Sequence, residues 1–407
     1  MAIKTSDGEN QEKDVSEKEA SISNKGKAKI IPINQNKFNL AEQYLSAKYE
    51  FRVNIVALTI EYKEYGENIF KEVNENSLFR ELQNVNICLS LTNLISLLRS
   101  DFVLKFDPLI DYFENLPQWD GEDHIYQLST YVKTKDQPAW ENHLKKHLVR
   151  TVKCALNPYY FNKQALILVD PRQNSGKTTF CRFLCPLSLK DYLAEDINTD
   201  KDSRVLLAKN ILINLDELAL LSKKDINSLK SFMSKDQINE RLPYDRKNTI
   251  LSRRASFIGS TNSLEFLNDE TGSVRWLCFE INSIDWIYKE DININKVWAQ
   301  AYYLYETDYV ADLSKEEILA SEERNKSFHV LTVERQLITE LFDFDYLNNP
   351  ENFRTSSQIL RDILKFSNGV NVNHIMVGKA LTALRCPIGR DKLSNRGYFI
   401  KLKNFSE

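Results

Sequence analysis

Three short apolar segments in the middle of the chain each run into polar residues, and a helical pattern follows the first of them. The segments are Ala165–Val169, Asn210–Leu215 and Ala255–Asn262, and the helix is expected at Thr179–Cys185. Short apolar runs of this kind are typical of strands buried on both faces, and alternation with helices favours an α/β layer architecture. The pattern predicts an α/β core within residues 135–312.

The segments that precede this core differ from it in pattern. Residues 1–37 are rich in Lys, Glu, Ser and Asn and contain no aromatic residue, so we expect a disordered tail. Residues 38–134 are predicted to form a mainly helical domain with a small hairpin at Tyr49–Tyr62, where apolar and polar residues alternate. Pro108 suits the first turn of a helix.

Residues 313–344 are predicted to be linker helices, and residues 345–407 a separate small domain. Its expected elements are two helices and a strand, at Thr355–Leu364, His374–Leu384 and Arg396–Lys403. This order is typical of a winged helix, in which Lys379 and Arg396 would contact duplex DNA. A winged helix used for protein contact or oligomer packing is the alternative, because a fold alone does not fix function.

Composition limits the class of protein. The chain has 407 residues, a net charge of −3 and 42% hydrophobic residues, which is enough for two or three domains with ordinary cores. Its six cysteines form no Cys-x-x-Cys pair, as expected for reduced thiols. No apolar run approaches the ~20 residues that a membrane helix needs. We expect a cytoplasmic protein without a membrane partner.

A turn between the first strand and its helix carries the first candidate chemistry. It ends in Asn174, Ser175, Gly176, Lys177, Thr178 and Thr179, which we interpret as a phosphate-binding loop for ATP. In such loops Lys reaches the β- and γ-phosphates and the Ser or Thr hydroxyl holds Mg²⁺. Pro171 stands where the pattern has its first glycine, and Gly-Lys-Thr alone is weak evidence.

Polar residues at the ends of the next two strands strengthen the interpretation of this turn as a phosphate-binding loop. Asp216 would hold Mg²⁺, and Glu217 would polarise the attacking water. Asn262 would orient that water or sense the γ-phosphate, unless it only caps the next turn. Arg275 follows in a turn and would stabilise charge on the γ-phosphoryl group of a neighbouring subunit, with a surface salt bridge as the alternative.

Taken together, these features resemble ring-forming P-loop ATPases of the AAA+ type, and specifically the superfamily 3 helicases of the virulence-associated E (VapE-like) family of phages and mobile elements. The motifs that carry the resemblance are Leu116–Gly121, Asn214–Leu218, Arg241–Arg246, Phe257–Asn262 and Thr271–Trp276. The resemblance implies a hexameric ring with ATP and Mg²⁺ at the subunit interfaces. Val274 stands where the family often has a second arginine, which leaves Arg275 as the arginine finger.

The interval from Lys223 to Arg254 has nine basic and four acidic side chains, a local charge of +5 in an acidic protein. In the helicases that the chain resembles, a hairpin here grips DNA in the ring's pore. We therefore expect Arg246, Lys247 and Arg253 to contact single-stranded DNA. A solvated charged face is the alternative, and Arg241 and Arg246 could instead serve the nucleotide.

The sequence thus predicts an ATP-dependent DNA helicase or translocase of a mobile element or prophage, with priming left to a separate primase. An AAA+ regulatory or defence ATPase that acts on a protein partner would share all of the nucleotide residues. A small-molecule P-loop kinase would need an arginine lid, and the Asp-Glu pair followed by an Asn-ended strand argues against it.

Overall fold

The computed structural model describes residues 36–197, 201–216, 218, 223–241, 247–267, 273–330, 332–367, 372–391 and 394–403. The chain divides into two compact units, one comprising residues up to 53 together with 59–105, and the other residues 54–58 and 106–407. This division differs from the predicted domain boundary at residue 134, because the helices at 108–130 pack into the core of the second unit. Among the described residues, no helix is both long and apolar enough to cross a bilayer.

The first unit combines helices with a sheet. Its described residues form a four-stranded sheet in the order β3-β2-β1-β4, with β1 Tyr49–Asn54, β2 Thr59–Glu64, β3 Lys71–Glu72 and β4 Leu104–Phe106. Its helices are α1 Lys37–Lys48, α2 Glu75–Asn84 and α3 Leu91–Leu98. The predicted hairpin is confirmed, since β1 and β2 are neighbours. The sheet that it belongs to is larger than the helical pattern predicted.

A mainly parallel sheet lies at the centre of the second unit. Within the described residues it has six strands in the order β5-β12-β6-β11-β8-β7. Neighbouring strands are parallel except β5 and β12. The strands are β5 Val132–Thr134, β6 Ala165–Val169, β7 Leu193–Glu195, β8 Leu212–Leu215, β11 Ser256–Thr261 and β12 Trp276–Ile284. The three predicted strands are therefore confirmed as β6, β8 and β11.

Helices cover both faces of this sheet. They are α4 Pro108–Glu114, α5 His124–Thr130, α6 Gln137–Leu156, α7 Lys177–Phe183, α8 Lys201–Lys209, α9 Lys223–Met233, α10 Tyr288–Asp291, α11 Ile294–Glu306 and α12 Lys315–Asn325. Leu166 and Leu168 of β6 face the core that α6 and α11 complete. Ala165, Ile167 and Val169 face the core formed with α8 and α9. Burial on both faces explains why the strand is apolar throughout.

The C-terminal residues form a further cluster within this unit. Its elements are α13 Val333–Leu341, β13 Phe342–Phe344, β14 Phe353–Arg354, α14 Ser356–Phe366, α15 His374–Ala383, β15 Ile388–Arg390 and β16 Arg396–Leu402. β16 pairs antiparallel with β13, β14 and β15. The predicted helices and strand of this region are confirmed. The predicted linker is divided, because α12 packs on β12 whereas Ile338 and Leu341 of α13 belong to the C-terminal core.

Helix α6 carries buried basic side chains through the core. His147 and Arg150 are fully buried, and His143 is nearly so. Neither ring nitrogen of His147 has a hydrogen-bond partner among the described residues. Burial, with the nearby charge of Arg150, lowers the pKa of His147 to about 3. This side chain is therefore neutral in the folded protein at neutral pH.

We expect acid to destabilise the protein through His147. Below about pH 6.5 the unfolded chain binds a proton that the folded chain does not bind until about pH 3. The free energy of unfolding should therefore fall by about 2 kcal/mol between pH 6.5 and 5 on account of this histidine. Urea unfolding at both pH values measures the loss, which His147→Leu should reduce. Replacement of the exposed His374 by Leu is the control. An equal fall in the free energy of unfolding of the wild type and both variants would contradict the role given to His147.

Candidate functional site

A polar cavity of about 480 Å³ lies at the carboxyl ends of β6, β8 and β11. The strand register explains its position, since Val169 of β6 pairs with Thr261 of β11, and Leu215 of β8 with Gly259. Polar residues that follow the strands consequently meet at one edge. The described lining residues are Gln173, Asn174, Ser175, Gly176, Lys177, Thr178, Thr179, Arg182, Asp216, Ser260, Thr261, Asn262 and Trp286.

The close approach of the strands under the cavity depends on a glycine. A Cβ on Gly259 would lie 2.5 Å from the carbonyl oxygen of Leu215. Any larger residue would therefore force β11 away from β8. The sequence motif Phe257–Asn262 thus contains a glycine that strand packing requires, as well as the polar side chains at its end.

The loop from β6 to α7 closes around the ammonium of Lys177. Its Nζ donates hydrogen bonds of 3.0 Å to the carbonyl oxygens of Asp170 and Arg172 and to Oγ of Ser175. Two loop residues have positive φ, Asn174 at 56° and Gly176 at 94°. The left-handed positions of the turn are therefore at these residues and not at position 171, where proline replaces the first glycine of the usual pattern. Burial lowers the pKa of Lys177, an effect that the carboxylates of Asp170 and Asp216 oppose.

A salt bridge braces the start of this loop. The carboxylate of the buried Asp170 accepts hydrogen bonds of 3.0 Å from Nε and Nη2 of Arg172 and from its backbone N–H. Arg172 Nη2 also donates to the carbonyl oxygen of Asn282 on β12, at 2.5 Å. Burial acts to raise the pKa of Asp170, but the hydrogen bonds from Arg172 outweigh it and hold the pKa below its usual value.

Three oxygen-bearing side chains that line the cavity, those of Thr178, Asp216 and Ser260, meet one another. Thr178 Oγ1 donates to Asp216 Oδ1 at 3.0 Å, and Ser260 Oγ donates to the same oxygen at 2.7 Å. The two hydroxyl oxygens are 3.1 Å apart. Ser260 was not among the predicted site residues, although it lies near the end of β11, two positions before Asn262.

Asp196 is a second carboxylate that the sequence did not identify. It follows β7, has φ of 62° and accepts a 2.9 Å hydrogen bond from the backbone N–H of Asp216. Partial burial and the neighbouring carboxylates of Asp216 and Glu195 raise its pKa. It fixes the backbone at the end of β8, where Asp216 enters the cavity.

The remaining nucleotide-site predictions fall in different places. Asn262 is exposed and lines the cavity, as does Thr179. Glu217 lies outside the described residues. Arg275 immediately precedes β12, and its Nη2 donates to Ser234 Oγ at 3.0 Å.

Arg275 lies far from the cavity of its own chain. Trp276 pairs with Ala165 at the amino end of β6, whereas the loop follows the carboxyl end. Four residue steps along the strand separate these ends, a distance of roughly 13 Å. Arg275 therefore faces the opposite edge of the sheet from the loop.

The basic interval contains an antiparallel hairpin formed by β9 Gln237–Glu240 and β10 Thr249–Ser252. Lys247 is exposed near its connection, and Arg246 lies outside the described residues. The prediction that Arg253 binds DNA is wrong, because its side chain is fully buried. Its guanidinium donates to the carbonyl oxygens of Asn162 and Met233, at 2.7 Å each, and of Ala255, at 3.0 Å.

Lys379 and Arg396 are both exposed on the C-terminal cluster. Lys379 lies on α15, whose opposite face contributes Val377, Ala380 and Leu381 to the core. Arg396 begins β16 and is paired in register with Arg390 of β15. The structure thus leaves both side chains accessible to a partner.

The fold and the cavity define an α/β protein with a polar loop site at the carboxyl ends of a mainly parallel sheet. The virulence-associated protein E-like domain matches residues 113–330, more than half of the chain. The protein belongs to this virulence-associated protein E-like family.

Solved structures of similar fold include the apo NrS-1 C-terminal region (305–718), with a TM-score of 0.51 and 13% sequence identity. Another structure, the A form of this region, has a TM-score of 0.50 and 13% identity. Each alignment covers 90% of the present chain and 100% of the other. A comparison with curated proteins found no match.

Proposed function

We propose that the protein is an ATP-dependent DNA translocase or helicase that acts as a homo-oligomeric ring in the replication of a mobile element. The observation that carries this proposal is the convergence of Lys177, Thr178, Asp216 and Asn262 on one cavity. A volume of about 480 Å³ lies within the usual range for small-molecule sites. Membership of the VapE-like family supports a DNA-related role.

The cavity has the side chains that a triphosphate and Mg²⁺ require. Lys177 would neutralise phosphate charge, and the loop's backbone N–H groups would bind phosphate oxygens. Thr178 and Asp216 present an all-oxygen pair, which suits a hard cation such as Mg²⁺. Ser260 orients the Asp216 carboxylate through its 2.7 Å hydrogen bond.

Hydrolysis would use groups on both sides of a subunit interface. Asn262 would position the attacking water from the cavity wall, with Glu217 as its general base. Arg275 would act on the site of the neighbouring subunit, since its position at the opposite edge of the sheet keeps it from the cavity of its own chain. A ring in which each loop faces the next subunit's Arg275 satisfies both requirements.

The hairpin of β9 and β10 is the proposed single-strand contact. Lys247 is exposed beside its connection, and Arg241 borders the connection on the other strand. Positive charge at this position would bind the phosphate backbone without reading sequence. The exposed Lys379 and Arg396 would contact duplex DNA if the C-terminal cluster acts as a winged helix.

Lys247→Ala should weaken binding of single-stranded DNA without changing ATP hydrolysis in the absence of DNA. Loss of one phosphate contact should lower the slope of log affinity against log salt by about 0.7. Fluorescence anisotropy with a labelled oligonucleotide, measured from low to moderate salt, gives this slope. Lys315→Ala removes an exposed lysine of α12 as the matched control. An unchanged slope for Lys247→Ala would remove the hairpin from the DNA contact.

A further inference from the structure

Trp286 is the one aromatic side chain among the described residues that line the cavity. It follows β12 and remains 46% exposed. Its ring lies against the loop, since a Cβ on Gly176 would be 2.9 Å from Cζ2 of Trp286. A large apolar ring is thus half exposed beside an otherwise polar site.

Residues on both sides of Trp286 contact other parts of the fold. The backbone N–H of Asp285 donates to the carbonyl oxygen of Tyr131 at 2.8 Å. After the turn, the buried Tyr288 packs edge-on against Phe180 and Phe183 of α7, with ring centroids 5.5 and 4.8 Å apart. Trp286 is therefore fixed to the helix that follows the loop.

Trp286 and the oxygen cluster line the same cavity from different elements of the fold. Thr178 meets Asp216 and Ser260 at the first turn of α7. Arg182 lies four residues further along that helix, about 6 Å along its axis, and also lines the cavity. Lys289, which is not among the described lining residues, places its Nζ 4.5 Å from the centroid of the Trp286 ring. The loop and the aromatic ring thus border the same cavity, and Arg182 is paired with Glu195, to which its Nε donates at 2.6 Å.

We propose that Trp286 is the platform on which the base of the bound nucleoside triphosphate stacks. The inference rests on the proposed nucleotide site and adds which bases of the nucleotide that site prefers. Stacking uses the face of the base rather than its hydrogen-bonding edge, so it separates bases by ring size and not by their hydrogen-bonding groups. Larger rings overlap more with indole, so ATP and GTP should bind more tightly than CTP and UTP.

The test compares two ligands that share phosphates but differ in the base. Calorimetry with Mg-ATP and with Mg-tripolyphosphate is carried out on the full-length wild type, Trp286→Ala, Trp286→Phe and Lys177→Ala. Loss of a stacked base should weaken ATP binding about 10-fold or more in Trp286→Ala. Tripolyphosphate binding should stay within about twofold, because the phosphate contacts remain. Trp286→Phe keeps a stacking ring and should largely restore ATP affinity.

Intrinsic fluorescence gives a second readout. Trp286 is one of five tryptophans, so a nucleotide-dependent change in emission should disappear in Trp286→Phe while ATP still binds. ATP affinity that is unaffected in Trp286→Ala would overturn the stacking role. So would an equal loss of tripolyphosphate binding, which would mean that the ring only shapes the loop. If the wild type binds neither ligand, the proposed function fails as well.

Discussion

Lys177→Ala is expected to reduce ATP hydrolysis by at least about 100-fold, because one preorganised charge on the phosphates is lost. The Lys177 ammonium lies inside the loop, held at 3.0 Å by the carbonyl oxygens of Asp170 and Arg172. Phosphate release under saturating Mg-ATP measures the effect.

The control for this variant is Lys190→Ala, which removes an exposed lysine beyond α7 and should leave hydrolysis unchanged. Similar unfolding midpoints of both variants would show that the loss does not arise from misfolding. Hydrolysis by Lys177→Ala at the wild-type rate would place the active site elsewhere.

Arg275→Ala is expected to lose about 1,000-fold in the rate of hydrolysis while it still binds ATP, as is typical when an arginine finger is removed. The residue contacts Ser234 at the edge of the sheet opposite the loop. Its removal therefore leaves the cavity of its own chain intact. Binding and turnover, measured on the same preparation, separate these two effects.

Mixing the two inactive variants distinguishes a role in trans from a structural role. A ring assembled from Lys177→Ala and Arg275→Ala subunits contains interfaces with an intact loop on one side and an intact arginine on the other. With random assembly of equal amounts, roughly one quarter of the interfaces have both. Activity should therefore reappear on mixing. A mixture as inactive as its components would contradict the shared site.

The apolar strands and the loop could be predicted from sequence because their signals are local. Each strand is a short apolar run, and the polar residues that line the cavity follow directly along the chain. Ser260, Asp196 and Trp286 could not be found in this way, because strand register and the packing of Tyr288 bring them to the site. Such contacts join residues that are far apart in sequence.

Two predictions, one from charge and one from helical periodicity, were corrected because both signals are local and do not show tertiary packing. Arg253 belongs to a basic interval, but counting charges does not reveal burial, and its guanidinium is used to bind backbone carbonyl groups inside the core. The helices α4, α5 and α13 have the expected periodicity. Periodicity does not say which core a helix joins, so the predicted boundaries at residues 134 and 345 differ from the observed packing.

The rate of ATP hydrolysis by the wild type, measured as single-stranded DNA is added, tests the central claim most directly. A motor that couples the loop to a DNA-binding hairpin should hydrolyse ATP several-fold faster as DNA saturates it, with Lys177→Ala inactive throughout. An active wild-type enzyme whose rate does not change with DNA would contradict a DNA motor and favour a protein partner.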